Sequence, residues 1–212
     1  MAPDIRELNE QAVRTSIEVV SRVTGDDLAR PTPCADWTLA DLLAHMTVQH
    51  HGFAAASAGN GADPAVWRPR PPGDNPVKEY AEAAEQVVAA FARDGVADRP
   101  FTLPELSTTT TFPGALAIRF HFIDYVVHSW DVARALDVDV AFTDEVLHAA
   151  LRTARAIPDG PERLLPGAAF RPGLPVTEGL DPLAETLTRL GRPPGWPGEP
   201  SVKQGPFLYL GV

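Results

Sequence analysis

His121-Phe122-Ile123-Asp124-Tyr125-Val126-Val127-His128-Ser129-Trp130-Asp131 reads as the middle of a strongly apolar helix that carries ionisable side chains where a plain core helix would carry leucine. His121, Asp124, His128 and Asp131 are spaced 3, 4 and 3 apart, so one helical stripe holds all of them. Ile118, Phe122, Val126, Val127, Trp130 and Ala133 make much of the remaining surface apolar, which places this helix at the centre of a bundle. Burying an unpaired carboxylate or imidazole costs several kcal/mol, so the stripe must pair internally or bind a metal ion. An internal hydrogen-bond network would explain a single histidine; for a stripe this long, metal binding is favoured.

The neighbouring sequence supplies the rest of the bundle. Pro113-Gly114 opens the central helix, which runs to about Leu136. Upstream, residues 4–23 have a helical period through Ile5, Leu8, Ala12, Ile17, Val20 and Val23. Thr38 with Asp41 three residues on is a capping box that begins a helix from Leu39 to Phe53. Asn75-Pro76 caps a third helix to about Ala92, closed by Gly95. Phe101-Thr102-Leu103 and Thr108 to Phe112 are β-branched and aromatic, so a small hairpin is expected. Thr143 to Ile157 forms a fifth helix, and Asp181-Pro182 opens a short sixth that Gly191 ends. The expected fold is all-α: a four-helix bundle with a small extended segment and a short C-terminal arm, one domain over 1–200 and a tail over 201–212.

Helix geometry narrows the ligand set without closing it. Asp124 and His128 are about 6 Å apart along the axis and share a face. His121 and His128 are about 10 Å apart, too far for one ion to take both from one helix. His121 with Asp124, or His128 with Asp131, compete at three-residue spacing. His45, inside the apolar run Leu42-Leu43-Ala44-His45-Met46, is the natural third ligand from a separate helix. Two imidazoles and a carboxylate suit Zn²⁺, Ni²⁺ or Fe²⁺. His121 and Asp131 would then orient ligands or receive a proton. His50 and His51 fall near the polar end of their helix and read as surface or pocket-rim residues. His148 reads as structural, Cys34 as packing under Trp37, and Trp37 and Trp130 as core aromatics.

Bulk properties exclude several classes. The 212 residues are 44% hydrophobic and 22% charged, with a formal net charge of -10, which disfavours nucleic acid as a partner. No apolar run approaches the ~20 residues of a membrane span. Met1 to Glu7 is polar and unlike a signal peptide, and Cys34 is the one cysteine, so a reducing cytoplasm is expected. An Ala- and Arg-rich, Lys-poor composition fits a high-GC, actinobacterial genome.

Two stretches carry a resemblance. Pro31-Thr32-Pro33-Cys34-Ala35-Asp36-Trp37-Thr38-Leu39-Ala40-Asp41-Leu42-Leu43-Ala44-His45-Met46 and Asp124-Tyr125-Val126-Val127-His128-Ser129-Trp130-Asp131-Val132-Ala133-Arg134-Ala135 resemble signature segments of one family. It is the actinobacterial metal-binding proteins related to the N-terminal domain of mycothiol-dependent maleylpyruvate isomerase, within the DinB-like superfamily. Gly191-Arg192-Pro193-Pro194-Gly195-Trp196 resembles the close of that domain. The resemblance implies a DinB-like four-helix bundle holding a divalent metal, typically zinc, on His45, Asp124 and His128. The isomerase has Glu where this chain has Asp124, and a second domain that the residues after Gly191 do not supply.

A zinc ion with three protein ligands keeps a fourth position open, as catalytic sites do. A thiol in that position becomes a nucleophile at neutral pH, giving S-transfer or isomerisation of a small electrophile with a mycothiol-like cosubstrate. Water there would give a hydrolase or lyase instead. A metal- or small-molecule-binding bundle without turnover is the non-enzyme alternative. His121, Asp131 and His50 are the expected proton acceptors. The expected partners are a small-molecule substrate and a low-molecular-weight thiol; a homodimer is compatible with these features.

Overall fold

The computed structural model describes residues 3–34, 37–70, 73–165 and 168–198. The expected tail over 201–212 lies outside the described residues. Helices α1 (Ile5–Val20), α2 (Leu39–Ser57), α3 (Pro76–Phe91) and α4 (Gly114–Leu136) build the bundle, followed by α5 (Asp144–Ala156) and α6 (Pro182–Arg189). α1 packs on α3 and α4, and α2 on the same two, so α1 and α2 stand diagonally across the bundle. The all-α bundle expected from the sequence is the fold observed. No helix among the described residues is long and apolar enough to cross a membrane.

The caps explain the boundaries. The Asp41 carboxylate accepts the Thr38 backbone N–H at 2.9 Å while the Thr38 hydroxyl accepts that of Asp41 at 3.3 Å, closing the capping box that starts α2. The Asn75 side chain accepts the Lys78 N–H at 3.0 Å, and Pro76 takes the first turn of α3, where its missing N–H has no role to fill. α1 stops at Val20, short of Val23, as the Ser21 hydroxyl turns back onto the Glu18 carbonyl. α2 continues a turn past the expected Phe53, and α3 ends at Phe91, before Gly95.

Strands β1 (Pro100–Thr102) and β2 (Thr111–Pro113) pair antiparallel with Phe101 opposite Phe112. They are displaced from the expected 101–103 and 108–112 because turns hold the loop between them. The Leu103 carbonyl accepts the N–H groups of Leu106 and Ser107, each at 3.0 Å. The Ser107 hydroxyl accepts those of Thr109 and Thr110. Residues 107–110 therefore serve the turn rather than the ladder.

α4 is buried along most of its length, and Leu187, Leu190 and Trp196 from the C-terminal region join the same core as α1–α4. On α2, Gly52 allows the Trp67 ring to lie against the helix: a Cβ at this position would stand 2.2 Å from the ring. Gly52→Ala is therefore expected to cost about 1–3 kcal/mol by overpacking, read as a lower urea midpoint at unchanged slope. A midpoint within error of the parent would show that Trp67 and its strap move aside freely.

Candidate metal centre

α4 and α2 bring His45, Asp124 and His128 together. One donor atom from each lies within 4.8 Å of the other two. The four-residue step on α4 puts Asp124 Oδ1 at 3.3 Å from His128 Nε2. From α2, the His45 ring meets His128 edge-on with centroids 5.2 Å apart, and Trp37 flanks it at 5.0 Å. His45 and Asp124 are half-buried while His128 is buried, so solvent reaches part of the set.

Cys34, His128 and Asp131 satisfy the same distance criterion and share His128 with the first set. Arg192 distinguishes the two. Its Nε donates to both Asp131 oxygens at 3.0 and 3.1 Å, and its Nη2 lies 3.6 Å from Cys34 Sγ. The guanidinium thus already stands beside those donors, and a second cation would be repelled. Cys34 donates its S–H to Asp131 Oδ2 at 3.2 Å, and His128 Nδ1 lies 2.8 Å from that oxygen. This cluster backs the first set and fixes how His128 presents Nε2, as carboxylates commonly do for metal-ligating histidines. Cys34, expected only to pack, is part of it.

The electrostatics follow. Burial, reinforced by the His128 charge, holds His45 down to about 4, so its imidazole is neutral and able to ligate at pH 7. Burial alone would raise the Asp124 carboxyl, but the charge and hydrogen bond of His128 outweigh it and hold it at about 2. Burial likewise opposes charge on His128, yet Asp124 and Asp131 push its pKa well up. His128 is thereby an imidazolium donating from both nitrogens, and a cation on Nε2 would have to take the place of that proton. Burial and then the Asp131 charge raise the Cys34 thiol, so it stays protonated.

His121 and His50 do not join either set. His121 Nδ1 meets Asn9 Oδ1 at 2.7 Å, and His121 Nε2 meets His50 Nδ1 at 3.2 Å. Both rings stack on Tyr125, whose hydroxyl donates to the Met46 carbonyl. His50, expected at the surface or a pocket rim, is fully buried. Because α2 runs on to Ser57, position 50 is mid-helix and shares the core face of Leu43, Met46 and Phe53. His51 does line a rim: a cavity of about 540 Å³ on the α3 flank of α2, bounded also by Thr47, Arg68, Arg70, Glu79 and Gln86. His45, Asp124 and His128 do not line it. His148 is exposed on α5.

One polar group near the set had no sequence signal. Glu105, in the β1–β2 loop, accepts two hydrogen bonds from Gln49 Nε2, at 2.9 and 3.1 Å, and Gln49 lies one turn beyond His45 on α2.

Comparison with known proteins places the chain. Two crystal structures of the mycothiol-dependent maleylpyruvate isomerase, one of a mutant, superpose with a TM-score of 0.55 at 10% identity, covering 73% of this chain and 69% of theirs. That likeness shows a shared helical fold. The uncharacterized proteins Rv0738 and MT0763 of two Mycobacterium tuberculosis strains are each 29% identical over 174 residues, 82% of this chain and 90% of their own length. The sequence model described as the mycothiol maleylpyruvate isomerase N-terminal domain matches residues 10–133, which hold α2, α4 as far as Ala133 and all three residues of the set. By that match, this chain belongs to the mycothiol maleylpyruvate isomerase N-terminal domain family.

Proposed function

We propose that the protein is a divalent-metal-dependent enzyme that activates a low-molecular-weight thiol of the mycothiol type for S-transfer to, or isomerisation of, a small electrophile. The observation that carries the reading is the convergence of His45, Asp124 and His128 within 4.8 Å. The donor chemistry fits a cation: two imidazole nitrogens and one carboxylate, with His128 oriented by a second carboxylate that Arg192 neutralises. A divalent metal on these residues supplies Lewis acidity that brings a thiol's pKa toward neutrality.

The chain's own residues do the rest. His45, kept neutral, and Asp124, kept ionised, hold lone pairs ready at pH 7. Asp131 holds the proton on His128 Nδ1 and leaves Nε2 to face the site. With its oxygens engaged by Arg192, Cys34 and His128, Asp131 orients rather than exchanges protons. His50 and His121, hydrogen-bonded to each other, set the position of α2 relative to α4 and so of His45 relative to Asp124. A metal held by these three donors would have a position left for the thiol.

Elemental analysis of the purified protein beside His45→Ala and His128→Ala tests this. About one equivalent of zinc, nickel or iron per chain in the parent, and less than a tenth in both variants, is expected from the loss of one ligand in three. No metal in the parent after incubation with each of these ions would overturn the reading and leave the stripe as an ion-pair network.

A further inference from the structure

We propose that Glu105 is the base of this site: its carboxylate takes the proton that a thiol gives up on entering the position facing His45, Asp124 and His128. The inference rests on the thiol reading above and adds a residue to it.

Three observations place Glu105 there. First, the hairpin loop is built to present it. Leu103 is buried as an anchor, its carbonyl caps the turn through Leu106 and Ser107, and Glu105 sits inside that turn. Second, the carboxylate is tethered to the site's own helix. Gln49 Nε2 donates to both Glu105 oxygens, and Gln49 follows His45 by one turn on the same side of α2, about 6 Å along the axis. Third, Glu105 is outside the cluster of donors that converge within 4.8 Å, yet the Asp124 charge reaches it. A carboxylate held by Gln49 one turn from His45, and not itself among the converging donors, is placed to accept a proton rather than to ligate.

The carboxyl is also suited to holding a proton. Solvent reaches the residue, but the protein around the carboxyl pushes its pKa up, Gln49 pulls against that, and the Asp124 charge adds to the rise. Asp131 cannot serve in its place, since Arg192, Cys34 and His128 occupy it; His50 and His121 are enclosed with Asn9 in the core. The step balances as thiol plus Glu105 carboxylate giving thiolate plus Glu105 carboxylic acid, with no oxidant or reductant.

The test uses the cobalt(II)-loaded protein and 2-mercaptoethanol as the thiol probe. Binding is read from sulfur-to-cobalt charge-transfer absorption, and proton release from calorimetric titrations in two buffers of different ionisation enthalpy. In the parent, the proton stays on Glu105, so close to zero protons are released per thiol bound near pH 7. In Glu105→Gln, about one proton is released, and thiol affinity rises about tenfold per pH unit where the parent is nearly flat. Gln49→Ala, which loosens the tether without removing the carboxylate, is expected to fall between them. Equal proton release in the parent and Glu105→Gln, with the absorption band present in both, overturns the role of Glu105 while sparing the thiol reading. A band in neither protein removes both.

Discussion

Replacing Arg192 by methionine is expected to destabilise the protein by about 3–5 kcal/mol, the range for leaving one member of a buried ion pair uncompensated. Asp131 is 0% exposed and Arg192 3%, so water cannot take over for the guanidinium. The remaining contacts of Asp131 are the Cys34 S–H and His128 Nδ1, a weak donor and a group whose charge is already shared with Asp124. Arg192 reaches this position because Gly191 takes a left-handed turn at φ 76° after α6, with Arg134 on α4 donating to the Trp196 carbonyl just beyond at 2.7 and 3.2 Å. The C-terminal arm is thereby fastened to the back of the candidate metal centre. A double variant, Asp131→Asn with Arg192→Met, removes both charges and is expected to recover more than half of the loss in urea unfolding. Destabilisation below about 1 kcal/mol in Arg192→Met would mean that Asp131 is neutral in the folded protein.

The sequence announced the bundle more clearly than it announced the site's surroundings, and the reason is locality. Thr38 and Asp41, Asn75 and Pro76, and Pro113 and Gly114 act within a turn of one another, so a linear reading finds each helix start. Asp124 and His128 are likewise one turn apart. His45 could be picked out because it interrupts an apolar run. The four-membered stripe then divides: His121 turns to Asn9 on α1, while the other three gather around His128. Nothing local signals that division, since Asn9 is 112 residues away. Arg192 lies 61 residues from Asp131 and Gln49 56 from Glu105, pairings that only the folded chain makes. His50 was legible in principle. It falls three residues before Phe53 and four after Met46, and placing the end of α2 too early hid that face.

Acidification of the metal-free protein from pH 6.5 to 4.5 is expected to remove stability through His50 and His121, at up to about 1.4 kcal/mol per pH unit for each histidine. Burial holds His121 down to about 3 and His50 well below its ordinary value. The groups around them are neutral rings, Tyr80, Tyr125, Phe53 and Phe91, with His51 nearby; Asp124 is the carboxylate whose charge reaches His121. A base whose folded pKa is depressed is protonated first in the unfolded chain. Its contribution is therefore complete above about pH 6.5 and drains away as pH falls toward the folded value. His45 adds to the same slope until about pH 4. His128 has the opposite sign: its raised pKa contributes fully below 6.5 and is lost as pH rises above it, so it is constant between 6.5 and 4.5. Asp124 and Asp131, with lowered values, lose their contributions only once the unfolded carboxylates protonate near pH 4. The interval between 6.5 and 4.5 is thus governed by the histidines that the fold holds neutral, His50 and His121 with His45 and His51. Urea unfolding at several pH values reads the slope directly. His50→Phe, which keeps a ring stacked on Tyr125, is expected to lower the slope by the share of one histidine, about 1.4 kcal/mol per unit. An unchanged slope in His50→Phe would mean that His50 carries a proton inside the fold, and the His50–His121 contact would then be a charged hydrogen bond rather than a neutral one.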